Sequence, residues 1–502
     1  MVKYILNIPV HFMLWRYYMA ISSYDVVIIG AGISGSMISY FLAKYDLRVA
    51  VVEAGIDAAS GSTRANSAIV HAGYDAKEGT LKAALNVRGC EMMEGITSQL
   101  GVHYSRCGSL VIGFTEKDLK HLKLLKARGE VNGVPDLEII DEKRLHEMEP
   151  RVSPEAKYAL WAPSAGIVCP YDLAYALCEN AATNGTDFYF EFKVSKIDRD
   201  GDGYTLIDGK KRVRGKYVIN AAGLFVDEIA LMVGEKLPFD IIPRRGEYML
   251  LDKAEHKTAS HTLFMTPSEK GKGVLVSPTV DGNIIVGPNA NVVDSKSDTS
   301  VTEEGLEEIS VGAREIVPSI NLDATITTFA GVRATPTSGD FYIQESKKNK
   351  RFVHVAGIES PGLASSPAIG EYVLEILKKC GLTLNERANY IPTRTKNGNC
   401  KLFYEMSEEE RVDAIARDPR YAKVVCRCEM VTEGDVINAI TRPIPARTID
   451  TVKRRTRAGM GRCQGNYCRA RIAELISEEC NIPLTEVKKF TSNSNLLLRK
   501  TK

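Results

Sequence analysis

From residue 24 onward the apolar positions fall into two kinds of run. Tyr24–Ile29 is apolar apart from Asp25 and ends at a glycine, the pattern of a strand buried on both faces of a parallel sheet. Glycines follow, then helical spacing over Ser36–Lys44, then a second apolar run at Leu47–Glu53, so the chain opens on a β-α-β unit. Further strand-like runs lie at Ser109–Phe114, Tyr204–Ile207, Tyr217–Asn220, Ile241–Leu251, Gly273–Ser277, Asn283–Gly287 and Arg351–Ala356. Helical periodicity marks Leu81–Leu100, Glu116–Arg128, Tyr171–Asn184, Glu303–Ile316 and Ala368–Lys379. Ile391–Asn399 mixes Pro, Gly, Asn and alternating charge and predicts a linker, with a short exposed helix after it at Ser407–Ala416. The tail from Phe490 is polar and basic and is expected to fray.

Composition narrows the class. With 502 residues, 44% hydrophobic and 25% charged, the chain is an ordinary globular one, and disordered or fibrous readings are excluded. Lys plus Arg total 65 against 63 acids, a net +2, so no global field recruits nucleic acid or membrane. Eleven cysteines are too sparse for a disulfide scaffold. Cys90, Cys107, Cys169, Cys178, Cys380 and Cys480 are scattered singly and imply a reducing, cytoplasmic setting; the other five lie between Cys400 and Cys468 and imply metal. Tyr4–Ala20 is apolar and aromatic, but Pro9, His11 and Arg16 make it a poor membrane span. Residues 1–22 read as an extension, with Met19 as the working start.

Gly30-Ala31-Gly32-Ile33-Ser34-Gly35 lies between the first strand and helix, and Glu53 ends the next strand 18 positions on. Such glycines permit a tight turn and close backbone approach to a pyrophosphate; the helix N-terminus offers unpaired N–H groups, and the acid accepts ribose hydroxyls. The fingerprint alone leaves FAD and NAD open. Two later turns favour FAD. Val218–Gly223 runs an apolar strand into Ala221, Ala222 and Gly223. Ala356–Ala364 carries Gly357, Gly362, Leu363 and Ala364 into a helix whose N-terminus suits a flavin ring.

Three such turns spread over the chain resemble the amino-acid-oxidase-type FAD superfamily, in which the nucleotide-binding domain is assembled from separated segments. Ser62-Thr63-Arg64-Ala65-Asn66-Ser67-Ala68-Ile69-Val70-His71-Ala72-Gly73-Tyr74 and Pro243-Arg244-Arg245-Gly246-Glu247-Tyr248 look like the L-2-hydroxyglutarate dehydrogenase branch and related FAD-dependent glycerol-3-phosphate dehydrogenases. The resemblance adds Thr63 and Arg64 to the cofactor residues. It places a substrate-binding arginine at Arg333, which stands in Phe329-Ala330-Gly331-Val332-Arg333-Ala334-Thr335-Pro336, and puts His71 at the flavin as the base. Arg245 is the expected second cation, with Tyr248 and Glu247 lining the pocket.

Cys426-Arg427-Cys428 and, 34 residues later, Cys463-Gln464-Gly465-Asn466-Tyr467-Cys468 offer four thiolates. C-x-C is tight for zinc, which stays open as an alternative. The spacing looks like the bacterioferritin-associated-ferredoxin type of [2Fe–2S] domain, which occurs at the C-terminus of anaerobic glycerol-3-phosphate dehydrogenase large subunits. Arg442–Arg471 holds nine Lys or Arg against the single acid Asp450. That charge is expected to offset an anionic cluster and to dock an acidic redox partner.

The expected fold is α/β: a Rossmann-like FAD-binding domain interleaved with an α+β substrate domain, then a small helical [2Fe–2S] domain. FAD-binding segments are expected at about 23–95, 165–230 and 330–385, and the substrate domain at 96–164 and 231–329. A linker at 391–420, the cluster domain at 421–480 and a tail at 481–502 complete the 23–390 catalytic unit. The implied activity is oxidation of a small anionic secondary alcohol. The fused cluster domain favours sn-glycerol 3-phosphate, while Arg64-Ala65-Asn66-Ser67 lies nearer the L-2-hydroxyglutarate branch; a non-catalytic electron-transfer subunit is the rival from another class. Electrons are expected to pass to a partner subunit or quinone-linked acceptor, with at most peripheral membrane association through that partner.

Overall fold

The structure is a computed structural model that describes residues 22–209, 211–266 and 273–499. The expected N-terminal extension, apart from Ser22, therefore lies outside the described residues.

β1 (Ser22–Ile29), α1 (Ile33–Leu42) and β2 (Val49–Val52) form the predicted unit, with β1 and β2 parallel. The second half of β1, Val26–Ile29, is apolar without a break because it feeds two cores. Val26 and Ile28 pack with Met37, Ile38 and Phe41 of α1 and with Leu173 and Leu177 of α2 (Pro170–Thr183). Val27 and Ile29 point the other way, towards Val218, Ile229 and Phe352. Burying each such side chain stabilises by about 1.5–3 kcal/mol, so a single polar substitution in β1 is costly. β3 (Lys211–Asn220) runs parallel to β1, pairs early with the hairpin strand Gly203–Asp208 and late with Phe352–Ala356. Asp200 pairs with Gly203, so the Asp198–Gly203 stretch is a hairpin turn. Strands from three distant parts of the chain thus build one eight-stranded sheet.

A nine-stranded sheet carries the second layer and is built from residues 109–162 and 241–336. Its centre is β4 (Ile241–Leu251), paired antiparallel along its length with β5 (Thr325–Pro336). β5 escapes the sequence patterning because Thr, Gly and Arg interrupt its apolar positions; it is half-buried, and its partner is 80 residues away in sequence. Leu110, Leu263, Val276 and Ile284 close this core against Ile309, Ala313 and Ile316 of the helix Glu303–Ile316. α3 (Gly362–Lys379) starts six residues earlier than its periodicity predicts, since Gly362–Pro367 carries too few large apolar groups to show it.

The C-terminal module packs helices Glu433–Thr441, Ile449–Thr456 and Arg469–Cys480 around Val436, Ile440, Val452, Ile472 and Ile476. Two expectations fail beside it. Residues 391–400 are a strap, not a loose linker: Asn180 Nδ2 donates to the Ile391 and Thr393 carbonyls, and the Arg394 guanidinium is buried against Glu179 and Asp172. The tail from Phe490 is tied down in part, with Asn495 bridged to Lys488 and Leu496 N donating to the Val487 carbonyl at 2.8 Å, while Leu498 is exposed. The expected exposed helix forms at Glu408–Arg417 behind its Ser407 cap. Among the described residues no helix is long and apolar enough to cross a membrane.

Candidate functional site

A cavity of about 690 Å³ opens between the two sheets. Its nucleotide end is built on β1 and α1. Gly30 has φ +104°, and a Cβ there would meet the Ala221 carbonyl at 2.5 Å. Gly35 lies outside the lining and instead lets α1 sit on the Gly30 carbonyl, where a Cβ would stand 1.9 Å away. Gly32 caps α1 without a side-chain partner; Thr63 Oγ1 accepts from Ile33 N at 2.9 Å, and Gly32, Ile33 and Ser34 of this helix start line the cavity. Glu53 accepts from Ala31 N at 2.8 Å and Gly55 N at 2.7 Å, while burial raises its carboxyl above the usual range. Ala222, Gly223, Gly362 and Leu363 also line the wall, and α3 begins there with no side-chain cap.

Three expected cofactor residues lie elsewhere. Gly357 packs on Pro336, where a Cβ would meet its ring at 2.9 Å. The Ala364 carbonyl abuts Gly89 at 2.2 Å from a Cβ position, joining α3 to the helix Leu81–Leu100. Arg64 is exposed, within electrostatic reach of Arg454 and Asp450 of the C-terminal module. All three hold the frame of the cavity instead of its lining.

The donor set nevertheless fits FAD. A helix N-terminus, a glycine-only approach and a carboxylate stand at one end, and a second helix N-terminus, with no side-chain cap, stands at the other.

The other end of the cavity belongs to the second sheet. Arg333 on β5 and Tyr248 on β4 line it, as does His71 beyond the short strand Ile69–Val70. Asn86 Nδ2 donates to the His71 carbonyl at 2.6 Å; the ring stacks on Phe264 at 5.8 Å, and Ser360 Oγ stands 3.5 Å from Nε2. β5 is held to the 62–67 loop by Ser62 Oγ donating to the Val332 carbonyl at 2.6 Å, and Gly331 has no room for a Cβ beside the Ala65 carbonyl. Arg333 Nη2 reaches the Asn289 carbonyl at 3.4 Å across Gly246, whose missing side chain leaves that space.

Arg245 is not at this end. Its guanidinium turns to Asp298 Oδ2 at 2.8 Å and Ser300 Oγ at 2.7 Å, and Arg244 lines the cavity in its place. Strand side chains alternate, and the adjacent arginines carry no signal of which one faces inward. Glu247 is fully buried, accepting from Thr302 N and Asn289 Nδ2 at 2.7 Å, and so joins β4 to the helix Glu303–Ile316 instead of lining the pocket. His354 sits on the core strand with Asn220 and Glu235.

In the C-terminal module, Cys428 and Cys463 Sγ atoms lie 3.8 Å apart. Cys426 and Cys468 lie together in the module's core, and their mutual influence holds the Cys426 thiol below the usual range and the Cys468 thiol above it. Each pair takes one member from each sequence motif. Four thiols gathered in this small module are the ligand number that a [2Fe–2S] cluster takes. Cys426 and Cys468 are buried; Cys428 is exposed beside Met430, and Tyr467 is 88% exposed. The cations of 442–471 mostly meet acids of this same chain. Arg455 pairs with Asp57 at 2.6 Å, Arg457 with Asp281 at 2.6 Å, Arg462 with Asp252 at 2.7 Å and Arg471 with Glu433 at 2.7 Å. The basic segment therefore docks the module onto its own catalytic unit, which corrects its reading as a patch for an acidic partner.

Residues 25–376 match the family described as FAD dependent oxidoreductase, and residues 424–478 match the BFD-like [2Fe-2S] binding domain. A glycerol 3-phosphate dehydrogenase of Caloramator mitchellensis is 44% identical over 479 residues, covering 95% of this chain and 99% of that protein. The human mitochondrial L-2-hydroxyglutarate dehydrogenase is 26% identical, covering 70% of this chain and 88% of that one. Among solved structures, the FAD-bound, dithionite-reduced L-alpha-glycerophosphate oxidase of Mycoplasma pneumoniae superposes with a TM-score of 0.71 at 27% identity, covering 74% of this chain and 98% of that one. With its donor set, its interleaved sheets and its paired thiolates, the chain belongs to the FAD dependent oxidoreductase family and carries a BFD-like [2Fe-2S] binding domain at its C-terminal end.

Proposed function

We propose that this enzyme oxidises sn-glycerol 3-phosphate to dihydroxyacetone phosphate and delivers the electrons through its [2Fe–2S] domain to a protein acceptor. The observation that carries the reading is that Arg333 and the His71 imidazole line the same cavity as the glycines and Glu53 of the nucleotide end. It is supported by the likeness to a glycerol 3-phosphate dehydrogenase over 95% of the chain, a span that takes in the cluster module.

When bound, FAD supplies the acceptor for the hydride that leaves the substrate carbon. Arg333 holds the phosphate by a planar, permanently charged fork, which fixes how far the carbinol carbon stands from the nucleotide end. His71 Nε2 takes the hydroxyl proton as the C–H bond breaks, so one proton and one hydride leave together and a ketone forms. Phe264 against the imidazole face and Ser360 beside Nε2 hold the ring in place. Gly30, Gly32, Glu53 and Thr63 hold the nucleotide half, and Gly362 and Leu363 bound the ring end. Cys426, Cys428, Cys463 and Cys468 hold the cluster, which supplies one-electron exit; the exposed Cys428, Met430 and Tyr467 make the face from which a partner collects electrons.

Anaerobic addition of substrate to the holoenzyme tests the reading. Glycerol 3-phosphate is expected to bleach the flavin band within the turnover time. Bleaching by L-2-hydroxyglutarate alone would move the substrate to that branch, and bleaching by neither it, glycerol 3-phosphate nor proline would make the chain an electron-transfer subunit.

A further inference from the structure

We infer that Arg244 and Arg333 form a two-guanidinium site for a dianionic head group, and that Arg244 is what makes the cavity select a phosphate monoester over a monocarboxylate. The inference rests on the proposed substrate class and adds to it the residue that sets the charge of the ligand.

Arg244 on β4 and Arg333 on β5 are direct register partners in an antiparallel pair, so their side chains leave the sheet on the same face. Both line the cavity. Like charges directly opposite on one face repel, and a fold tolerates them where something anionic lies between. No protein carboxylate does so: among the described residues, neither guanidinium is in an ion pair with an acid. The neighbouring Arg245 shows the contrast, held by Asp298 at 2.8 Å. Arg244 Nε is buried without a hydrogen-bond partner, and the Arg333 contact to the Asn289 carbonyl is long, at 3.4 Å. Two guanidinium side chains on one face of the sheet, both lining one cavity and neither paired with an acid among the described residues, make an anion site.

Charge arithmetic decides the kind of ligand. A phosphate monoester loses its second proton near pH 6, so at neutral pH it brings close to two negative charges and three acceptor oxygens. That satisfies both forks. A carboxylate brings one charge and two oxygens, which a single bidentate arginine already saturates. Arg244 therefore contributes to a dianion and much less to a monocarboxylate.

Holoenzyme variants Arg244→Gln and Arg244→Lys, with dichlorophenolindophenol as acceptor, provide the test. Arg244→Gln is expected to raise KM for glycerol 3-phosphate and Ki for inorganic phosphate tenfold or more, with kcat within about threefold and FAD content unchanged; Arg244→Lys recovers part of the loss. Wild-type affinity for inorganic phosphate rises with pH from 5.5 to 7.5 as the dianion forms, and Arg244→Gln flattens that rise. KM and Ki within twofold of wild type, with the pH dependence intact, would overturn the inference. If the variants do not fold, phenylglyoxal labelling of the wild-type holoenzyme decides: inorganic phosphate is expected to protect both Arg244 and Arg333, and protection of Arg333 alone overturns it. A wild-type flavin that glycerol 3-phosphate does not bleach defeats the substrate reading instead, a separate result.

Discussion

Arg333 and Arg245 carry the same charge and differ in what answers it. Arg245 is paired with Asp298 and hydrogen-bonded to Ser300 within the fold, whereas among the described residues Arg333 meets a peptide carbonyl at 3.4 Å, no acid, and lines the cavity. Replacing Arg333 with Lys keeps the charge and removes the fork, so two charge-assisted hydrogen bonds become one at best. A lost bond of that kind costs about 1.5–3 kcal/mol, or roughly 10–100-fold in kcat/KM. Bound FAD, measured by absorbance after extraction, should stay at the wild-type level because no nucleotide contact changes. A kcat/KM within threefold of wild type would remove Arg333 from its anchoring role. The resemblance pointed to Arg333, which lines the cavity, and to Arg245, beside which it is Arg244 that lines it. Adjacent arginines on a strand are indistinguishable by composition, and only the pleat shows which one faces the ligand.

Among elements, the segments that carry the cluster ligands are short and depend on one another. Cys426 and Cys468 belong to the module's core, while Cys428 and Cys463 stand at its surface. Cys463→Ser breaks the exposed pair and leaves Val436, Ile440 and Ile472 packed as before. The expected outcome is loss of iron and acid-labile sulfide, and of the paramagnetic signal of the reduced protein. Anaerobic bleaching of flavin by substrate should continue, because His71 and Arg333 lie in the other unit. One zinc and no sulfide per chain in the wild type would overturn the cluster assignment. The four thiols were legible from their spacing. Which thiols lie beside one another was not, since the close pair Cys428 and Cys463 crosses the 34-residue interval and is made when the helices pack.

At the scale of the molecule, one buried charge cluster joins the catalytic unit, the strap and the cluster module. Asp57, Asp172 and Glu179 of the catalytic unit face Arg394 of the strap and Arg442 and Arg455 of the module. Arg455 also lies 3.9 Å over the Tyr175 ring. Breaking a buried pair strands a charge, so Asp57→Asn is expected to cost about 3–5 kcal/mol at this interface. Limited proteolysis should then cut residues 391–424 at least tenfold faster than in wild type. Unchanged cleavage and an unchanged melting temperature would show that the pair does not hold the module.

Acid should act on the whole fold as well. Burial depresses His354 below its ordinary 6.5, with Glu235 only partly opposing it. The native state therefore resists a proton that the unfolded chain accepts, so His354 contributes full stability above pH 6.5 and loses it as pH falls further. Melting temperatures between pH 7 and 5 should fall in the wild type and fall less in His354→Asn; equal slopes would dismiss His354 as the cause.

What the sequence determined by itself was whatever depends on near neighbours. The two-sided apolar run of β1, the turn glycines before α1, the acid at 53 and the two cysteine pairs each express their chemistry within a few residues, and all are where spacing put them. Periodicity also located the helices Leu81–Leu100 and Glu303–Ile316 and the strand Ile241–Leu251 to the residue. Tertiary structure alone decided the rest. β5 is a strand because β4 offers it hydrogen bonds, not because its own residues alternate cleanly. Arg394 and the cations of 442–471 look like solvent-facing charge until acids from residues 57, 172, 179, 252 and 281 arrive beside them. Arg244 becomes part of a site only when register sets it opposite Arg333. The physical reason is common to all three: the energy of a charge or of a half-buried strand is set by partners far along the chain, and a linear pattern does not contain them.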